Sequence, residues 1–269
     1  MKTYLSKITF ALFTVILFAG CNLDDPQPSP TGGYVLLSRV ATTQGDSREF
    51  IYSAEGWLTR LVGNGYLALN ENQTSTSNVT FDNLGRIATI LTDGPELDTK
   101  NVYYYTTDHK LQKLEELIDN QVQSYHTFAY DAQKRLTTRI SFYPDASSNS
   151  NTLRETNKST FTYHTDGNLH VHTMYHKPST SADWQLTQTM TYENYDTMIG
   201  VQHLTSGFLF TPSIILQKNN PGKVTTVLAS GEQRVSNFTY QYNAQKLPVK
   251  KTTTPSTGNA FETVYTYQM

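Results

Sequence analysis

The stretch from His126 to Ile140, HTFAYDAQKRLTTRI, reads as two short strands joined by a tight polar turn. Phe128 and Tyr130 alternate with Thr127 and Ala129, the period of two that a strand shows when one face is buried. Asp131 follows the aromatic, and its carboxylate can bond its own backbone two residues on. Lys134, four residues after Tyr130, stands where such a turn calls for positive φ. Leu136 opens the outgoing strand, and Ile140 and Phe142 are expected to share its apolar face.

The same pattern recurs on both sides: an aromatic, then Gly or a polar residue four later, then an aliphatic six later. It is present in YSAEGWL (Tyr52–Leu58), FDNLGRI (Phe81–Ile87), YTTDHKL (Tyr105–Leu111), YHTDGNL (Tyr163–Leu169), YENYDTM (Tyr192–Met198) and YNAQKLP (Tyr242–Pro248). KNNPGKV (Lys218–Val224) is a degenerate eighth copy. Starting aromatics lie from 24 residues apart (Phe81 to Tyr105) to 33 apart (Tyr130 to Tyr163), room for two strands and two connections. Gly recurs at the plus-four place because it takes positive φ freely; His109, Lys134, Asp196 and Lys246 would each be strained there by roughly 1 kcal/mol. On the outgoing side Leu169, Val171 and Tyr175 are expected on one buried face. About eight hairpins in series make an antiparallel meander with one aromatic face, which must curl, close or stack to hide it. The expected fold is therefore all-β, a curled or partly closed sheet over residues 34–269. A transmembrane barrel has similar hairpin spacing, but the Thr-rich opposite faces lack a clear lipid-facing apolar band.

NVTFDNLGRIATI (78–90) and HTFAYDAQKRLTTRI (126–140) resemble the YD repeats of the RHS family, whose units read Tyr-Asp-x-x-Gly-Arg-Leu. The likeness extends over most of residues 50–269 and is nearest to the small YD-repeat lipoproteins of Bacteroidota, which have no known function. It implies hairpins lined up into one continuous curving sheet and carries over no catalytic residue. At the aligned aromatic of the units the strict Tyr-Asp pair is intact only at Tyr130-Asp131, so a uniform shell of the large family type is not expected.

The N-terminus carries an address. Lys2 and Lys7 precede an apolar run, Ile8 to Phe18, that is too short to span roughly 30 Å of hydrocarbon as a mature helix. The run ends in Leu17-Phe18-Ala19-Gly20-Cys21, which resembles the lipobox of bacterial lipoproteins. Residues 1–20 are thus expected to be a signal peptide, with Cys21 the lipidated residue. Cys21 is the only cysteine, so an exported domain has no disulfide and this thiol is available for lipid. Asp24 and Asp25 resemble the export signals of surface lipoproteins in the Bacteroidota. Residues 21–33 are rich in Pro, Gly and Ser and read as a flexible tether.

Chemistry is harder to find. A net charge of −2 with 16% charged residues offers no basic face for nucleic acid. His170, His172 and His176, with His164 upstream, have strand spacing suited to a metal ion, yet the pattern Leu169, Val171, Tyr175 aims that row at solvent. No Gly-x-Ser-x-Gly elbow is present, Ser206-Gly207 lacking the leading Gly, and no phosphate loop or cofactor motif occurs. Glu115 and Glu116, being adjacent, would face opposite sides of a strand. Trp57 and Trp184 are candidate stacking platforms for a glycan or anchors for a protein ligand. These features favour a membrane-anchored, non-catalytic binding or scaffold lipoprotein of the outer membrane, exposed at the cell surface or facing the periplasm. A glycan-directed hydrolase of the envelope or host, with carboxylates from separate hairpins, is the runner-up. A metal-binding module through the His row is the third reading.

Overall fold

The computed structural model describes residues 36–65, 74–94, 97–145, 152–200 and 211–268. The signal segment, Cys21, Asp24, Asp25, the tether and Ser206-Gly207 lie outside them. The chain runs through β1 (Leu36–Thr42), β2 (Ser47–Tyr52), β3 (Leu58–Asn64), β4 (Thr74–Phe81), β5 (Ile87–Asp93), β6 (Thr99–Tyr105), β7 (Leu111–Ile118) and β8 (Gln121–Tyr130). It continues through β9 (Leu136–Pro144), β10 (Leu153–Tyr163), β11 (Leu169–His176), β12 (Gln185–Glu193), β13 (Lys223–Leu228), β14 (Gln233–Tyr242), β15 (Pro248–Pro255) and β16 (Phe261–Gln268). Each strand pairs antiparallel with its sequence neighbours, and β16 pairs with β1, so the meander is a closed barrel of 16 strands. The all-β meander is as the sequence suggested. The expected partial closure is not, because the last strand meets the first and leaves no edge.

The reason lies in how each hairpin is joined. At the Tyr130 turn, Asp131 Oδ1 accepts from the Arg135 amide at 2.8 Å, and Arg135 Nε donates to Asp131 Oδ2 at 2.8 Å. Asp82 and Arg86 repeat the arrangement at 2.9 and 2.7 Å. The plus-four residue takes positive φ as expected at Gly56, Gly85, His109, Lys134, Gly167 and Lys246. Directly after each turn the outgoing strand carries a bulge, one extra residue against the aromatic. Neighbouring hairpins are then tied by phenols. Tyr52, Tyr105, Tyr130 and Tyr163 donate to the carbonyl oxygens of Leu37, Ile87, Leu111 and Leu136, at 2.9, 2.8, 2.7 and 2.6 Å, each acceptor being the aliphatic of the preceding unit. Tyr195, Tyr240 and Tyr267 do the same to Leu169, Pro221 and Pro248 at 2.7, 3.2 and 2.6 Å.

Tyr267 and Leu37 complete this pattern across the ends of the chain. They pair in the β1–β16 register, and the bulge that the six uninterrupted turns show falls between Leu37 and Arg39. The C-terminal strand supplies the aromatic half of a unit and the N-terminal strand its aliphatic half. That split unit is the eighth, not KNNPGKV. Tyr192 pairs with Val224, so YENYDTM and KNNPGKV are the two halves of one hairpin with an insertion between them, and Asn194 rather than Asp196 takes positive φ there.

The bulge also corrects the expected faces of the outgoing strands. An extra residue after the aliphatic shifts the alternation by one, so the next interior side chain sits three residues on rather than two. Leu136 therefore shares the interior with Arg139 and Ser141, while Ile140 and Phe142 face outward, where Phe142 stacks on Tyr125 at 4.2 Å. Leu169 likewise shares it with His172 and Met174, and Val171 and Tyr175 face out. The interior at the turn end is a continuous apolar cluster that includes Leu37, Leu58, Ile87, Leu111, Leu136 and Leu169. Ile214 joins this cluster from the inserted segment. Asn168 Oδ1 accepts from the amides of Lys218 and Asn219 at 2.9 and 3.0 Å, and Asn220 Nδ2 donates to Ile199 O at 2.9 Å, which fastens the insertion to the barrel.

Apart from the outward Tyr125–Phe142 stack, Ile140, Val171 and Tyr175, the outer wall is largely polar. Lys113 and Glu115, Lys250 and Glu262, and Lys223 and Glu193 pair there at 2.6, 2.8 and 3.0 Å, and Arg39 faces Glu49 at 3.7 Å. Thr80 and Thr89 bond across strands at 2.7 Å. Exposed apolar side chains are interrupted by polar neighbours: Leu91 lies between Asn78 and Lys100, and Val264 beside Lys250.

Candidate functional site

Beyond the apolar cluster the interior turns polar on the side built by β7 to β11. Glu116, Ser124, His126, Arg139 and Ser141 project inward there from three consecutive strands, because each is cross-strand partner to, or two residues from, an interior residue. Ser124 Oγ donates to Glu116 Oε2 in a short contact, and His126 Nε2 lies 3.4 Å from the same oxygen. His126 Nδ1 meets Ser141 Oγ at 2.8 Å. In the neutral ring with Nε2–H directed at Glu116, Nδ1 is the acceptor and the Ser141 hydroxyl donates; in the protonated ring Nδ1–H donates to Ser141. The bond from His126 holds the Glu116 carboxyl below the usual range, against the opposing effect of burial.

Two nitrogen bases complete the cluster. Arg139 sits opposite Phe128, and its Nε is buried without a hydrogen-bond partner among the described residues. Burial lowers its pKa, with Tyr143 and Glu116 acting the other way. His172 stacks on Phe161 with ring centroids 4.6 Å apart, and its Nε2 is likewise without a partner. Burial, reinforced by the Arg139 charge, brings its pKa down to about 4, so the ring is neutral at pH 7. A cavity of about 330 Å³ opens beside Arg139, lined by Glu116, His126, Arg139, Ser141 and Tyr143, by the polar Asn157, Ser159 and Thr187, and by the apolar Leu114, Phe128 and Met174.

The chain Glu116–His126–Ser141 has the connectivity of an acid–base–hydroxyl relay. Acyl transfer also needs free N–H donors aimed at a developing oxyanion. Ser141 lies mid-strand with β8 on one side and β10 on the other, so its backbone surroundings are committed to the sheet. The arrangement suits holding a ligand better than cleaving one.

The residues singled out by sequence fall elsewhere. His170 lies against His164 at 4.3 Å between ring centroids, and His176 Nδ1 meets Asn157 Oδ1 at 3.2 Å, while His172 points inward. The three rings do not converge, and among the described residues no group of three metal-binding side chains comes together. Trp57 packs on Phe81 at 5.0 Å and covers Gly85, where an added Cβ would meet its ring at 2.9 Å; it braces adjacent turns. Trp184 is half-buried beneath Lys158 and Lys177, whose Nζ atoms stand 4.8 and 5.4 Å from its ring. Glu115 and Glu116 face opposite sides, as expected: Glu115 pairs with Lys113 on the outer wall, and Glu116 belongs to the interior cluster.

No protein-family model and no curated protein matches the chain. Among solved structures, a porin-like protein from Bacteroides uniformis is similar with a TM-score of 0.57 and 10% identity, over 91% of this chain and 100% of that one. A porin-like protein from Bacteroides vulgatus gives a TM-score of 0.43 at 10% identity, over 87% and 99%. The complex TcdB2-TccC3 gives 0.34 at 14% identity, over 83% of this chain and 14% of that one. At such identities the likeness to the Bacteroides uniformis protein is one of fold: a closed all-β barrel of this size has a solved counterpart.

Proposed function

We propose that this chain is a lipid-tethered, non-catalytic binding protein of the bacterial envelope, whose barrel stands in water rather than spanning the membrane. The observation that carries the reading is the outer wall, where ion pairs and threonines occupy the belt that lipid would have to cover. Each Lys or Arg on a lipid-facing strand costs about 2–4 kcal/mol at the bilayer midplane, and this wall presents Arg39, Lys100, Lys113, Lys223 and Lys250. The interior cavity is the natural seat of a ligand, as in other barrels that enclose one. Cys21 is the anchor in this reading, and Asp24 and Asp25 direct the body to the cell surface.

Fractionation of cells expressing the full chain beside Cys21→Ser tests it. The wild type is expected in the membrane pellet with incorporated fatty acid, and the variant in the soluble fraction. A Cys21→Ser chain that stays in the membrane through alkaline washing would establish a spanning barrel and overturn the reading. Protease shaving of intact cells, wild type beside Asp24→Ala/Asp25→Ala, then decides orientation: digestion of the wild type alone identifies the acidic pair as the export signal.

A further inference from the structure

The repeat makes the interior comparable position by position. Three residues after the aliphatic of each unit, the inward slot holds Val40, Leu61, Ile90 and Leu114, each opposite an apolar residue two before the unit's aromatic. At the same slot the later units hold Arg139, His172 and Lys251, opposite Phe128, Phe161 and Tyr240. Four aliphatic occupants show what the fold requires at this place, and a buried base is not it. All three bases are disfavoured by burial, which lowers the pKa of each. The sheet does not compensate them: Arg139 Nε and His172 Nε2 have no hydrogen-bond partner among the described residues, and Lys251 has only the Phe238 ring, 5.5 Å from its Nζ.

Donors left open beside a cavity are satisfied by what enters it. Glu116 is occupied by Ser124 and His126, so the Arg139 guanidinium keeps donors for another acceptor. The planar fork of Arg fits a carboxylate with two parallel bonds. The rest of the lining sets the apolar Leu114, Phe128 and Met174 beside the polar Asn157, Ser159 and Thr187. We propose that this cavity binds a small organic carboxylate, held by Arg139, with its apolar body against Leu114, Phe128 and Met174. At about 330 Å³ the space is at the small end of ligand pockets, which run from roughly 300 Å³ upward. The inference deepens the reading of the chain as a binding protein and rests on it.

Calorimetric titration of the full chain in mild detergent, with benzoate as the probe and benzamide as its uncharged counterpart, tests the proposal. Benzoate is expected to bind saturably at one site and at least tenfold more tightly than benzamide. Arg139→Gln should weaken benzoate at least tenfold and Arg139→Lys less than Arg139→Gln does. Absence of benzoate binding, equal binding of benzamide, or an Arg139→Gln protein that binds benzoate as the wild type does would each overturn it. Should Arg139→Gln fail to fold, as read by its melting transition, Arg139→Lys decides by the same criterion. Failure here leaves the Cys21→Ser fractionation untouched, and failure there leaves this titration readable, so the two readings fall separately.

Discussion

The phenol of Tyr163 donates to the carbonyl oxygen of Leu136 at 2.6 Å, joining the aromatic of one hairpin to the aliphatic of the hairpin before it. Because a bulge locally disrupts the ladder at each joint, the phenol takes over part of the bonding that a regular strand would supply. Tyr163→Phe keeps the ring and removes the donor, so it is expected to cost about 1–2 kcal/mol. The converse is available at Phe81, the one turn aromatic that lacks a hydroxyl, where the matching acceptor would be Leu58 O. Phe81→Tyr should gain about 1 kcal/mol, raising Tm by about 2–4 °C for a domain of this size. Urea denaturation of both variants beside the wild type checks the pair; no change in either would show that the phenols are incidental.

Lys134 holds φ at 61° at the place where Gly85 and Gly167 serve the equivalent turns. Lys134→Gly relieves the left-handed strain, while the greater freedom of Gly in the unfolded chain takes some of that gain back. A net stabilisation of about 0.5 kcal/mol is expected, visible as a Tm higher by a degree or two. A lower Tm would show that the Lys134 side chain does more for the turn than its backbone strain costs.

His172 has a pKa of about 4 in the fold against an ordinary value near 6.5. Between those values the unfolded chain binds the proton and the folded barrel does not, so stability falls as pH drops from about 7 toward 4. His172→Gln removes this proton uptake. Chemical denaturation at both ends of that range should show the wild type losing on the order of 2 kcal/mol more than the variant. Parallel losses would mean that the ring is solvated rather than stacked on Phe161.

The split eighth unit predicts a working permutant. Tyr130 and Leu136 are joined by Asp131–Arg135, and Tyr267 and Leu37 stand in the same relation with nothing between them. Linking Tyr267 to Leu37 through the sequence Asp-Ala-Gln-Lys-Arg, with new ends opened at the β1–β2 connection beside Gly45, should yield a folded barrel with a single cooperative melt. Aggregation of that chain would show that closure depends on more than the repeat.

The hairpins were legible because their signature is local: an aromatic, an Asx-type turn and a positive φ fall within seven residues, and Gly56, Gly85 and Gly167 mark them openly. The bulge was not legible, since the extra residue has no required identity and is imposed by the geometry of the turn. That one-residue shift turned His172 and Arg139 inward and Ile140 and Phe142 outward, which hid the interior cluster from a reading by strict alternation. Glu116 was equally hidden, its partners Ser124 and His126 becoming visible only once β7 and β8 are in register. Closure was concealed for a different reason: the signal is divided between Leu37 and Tyr267, at opposite ends of the chain, and neither half resembles a complete unit.

That division sets a schedule for biogenesis. Synthesis delivers Leu37 long before Tyr267, so the seam cannot be sewn until Tyr267 has been made. Until then β1 presents an open edge, the state most exposed to mispairing and proteolysis. A nascent chain therefore stays open until Tyr267 emerges, and a chain truncated before β16 is left unsealed.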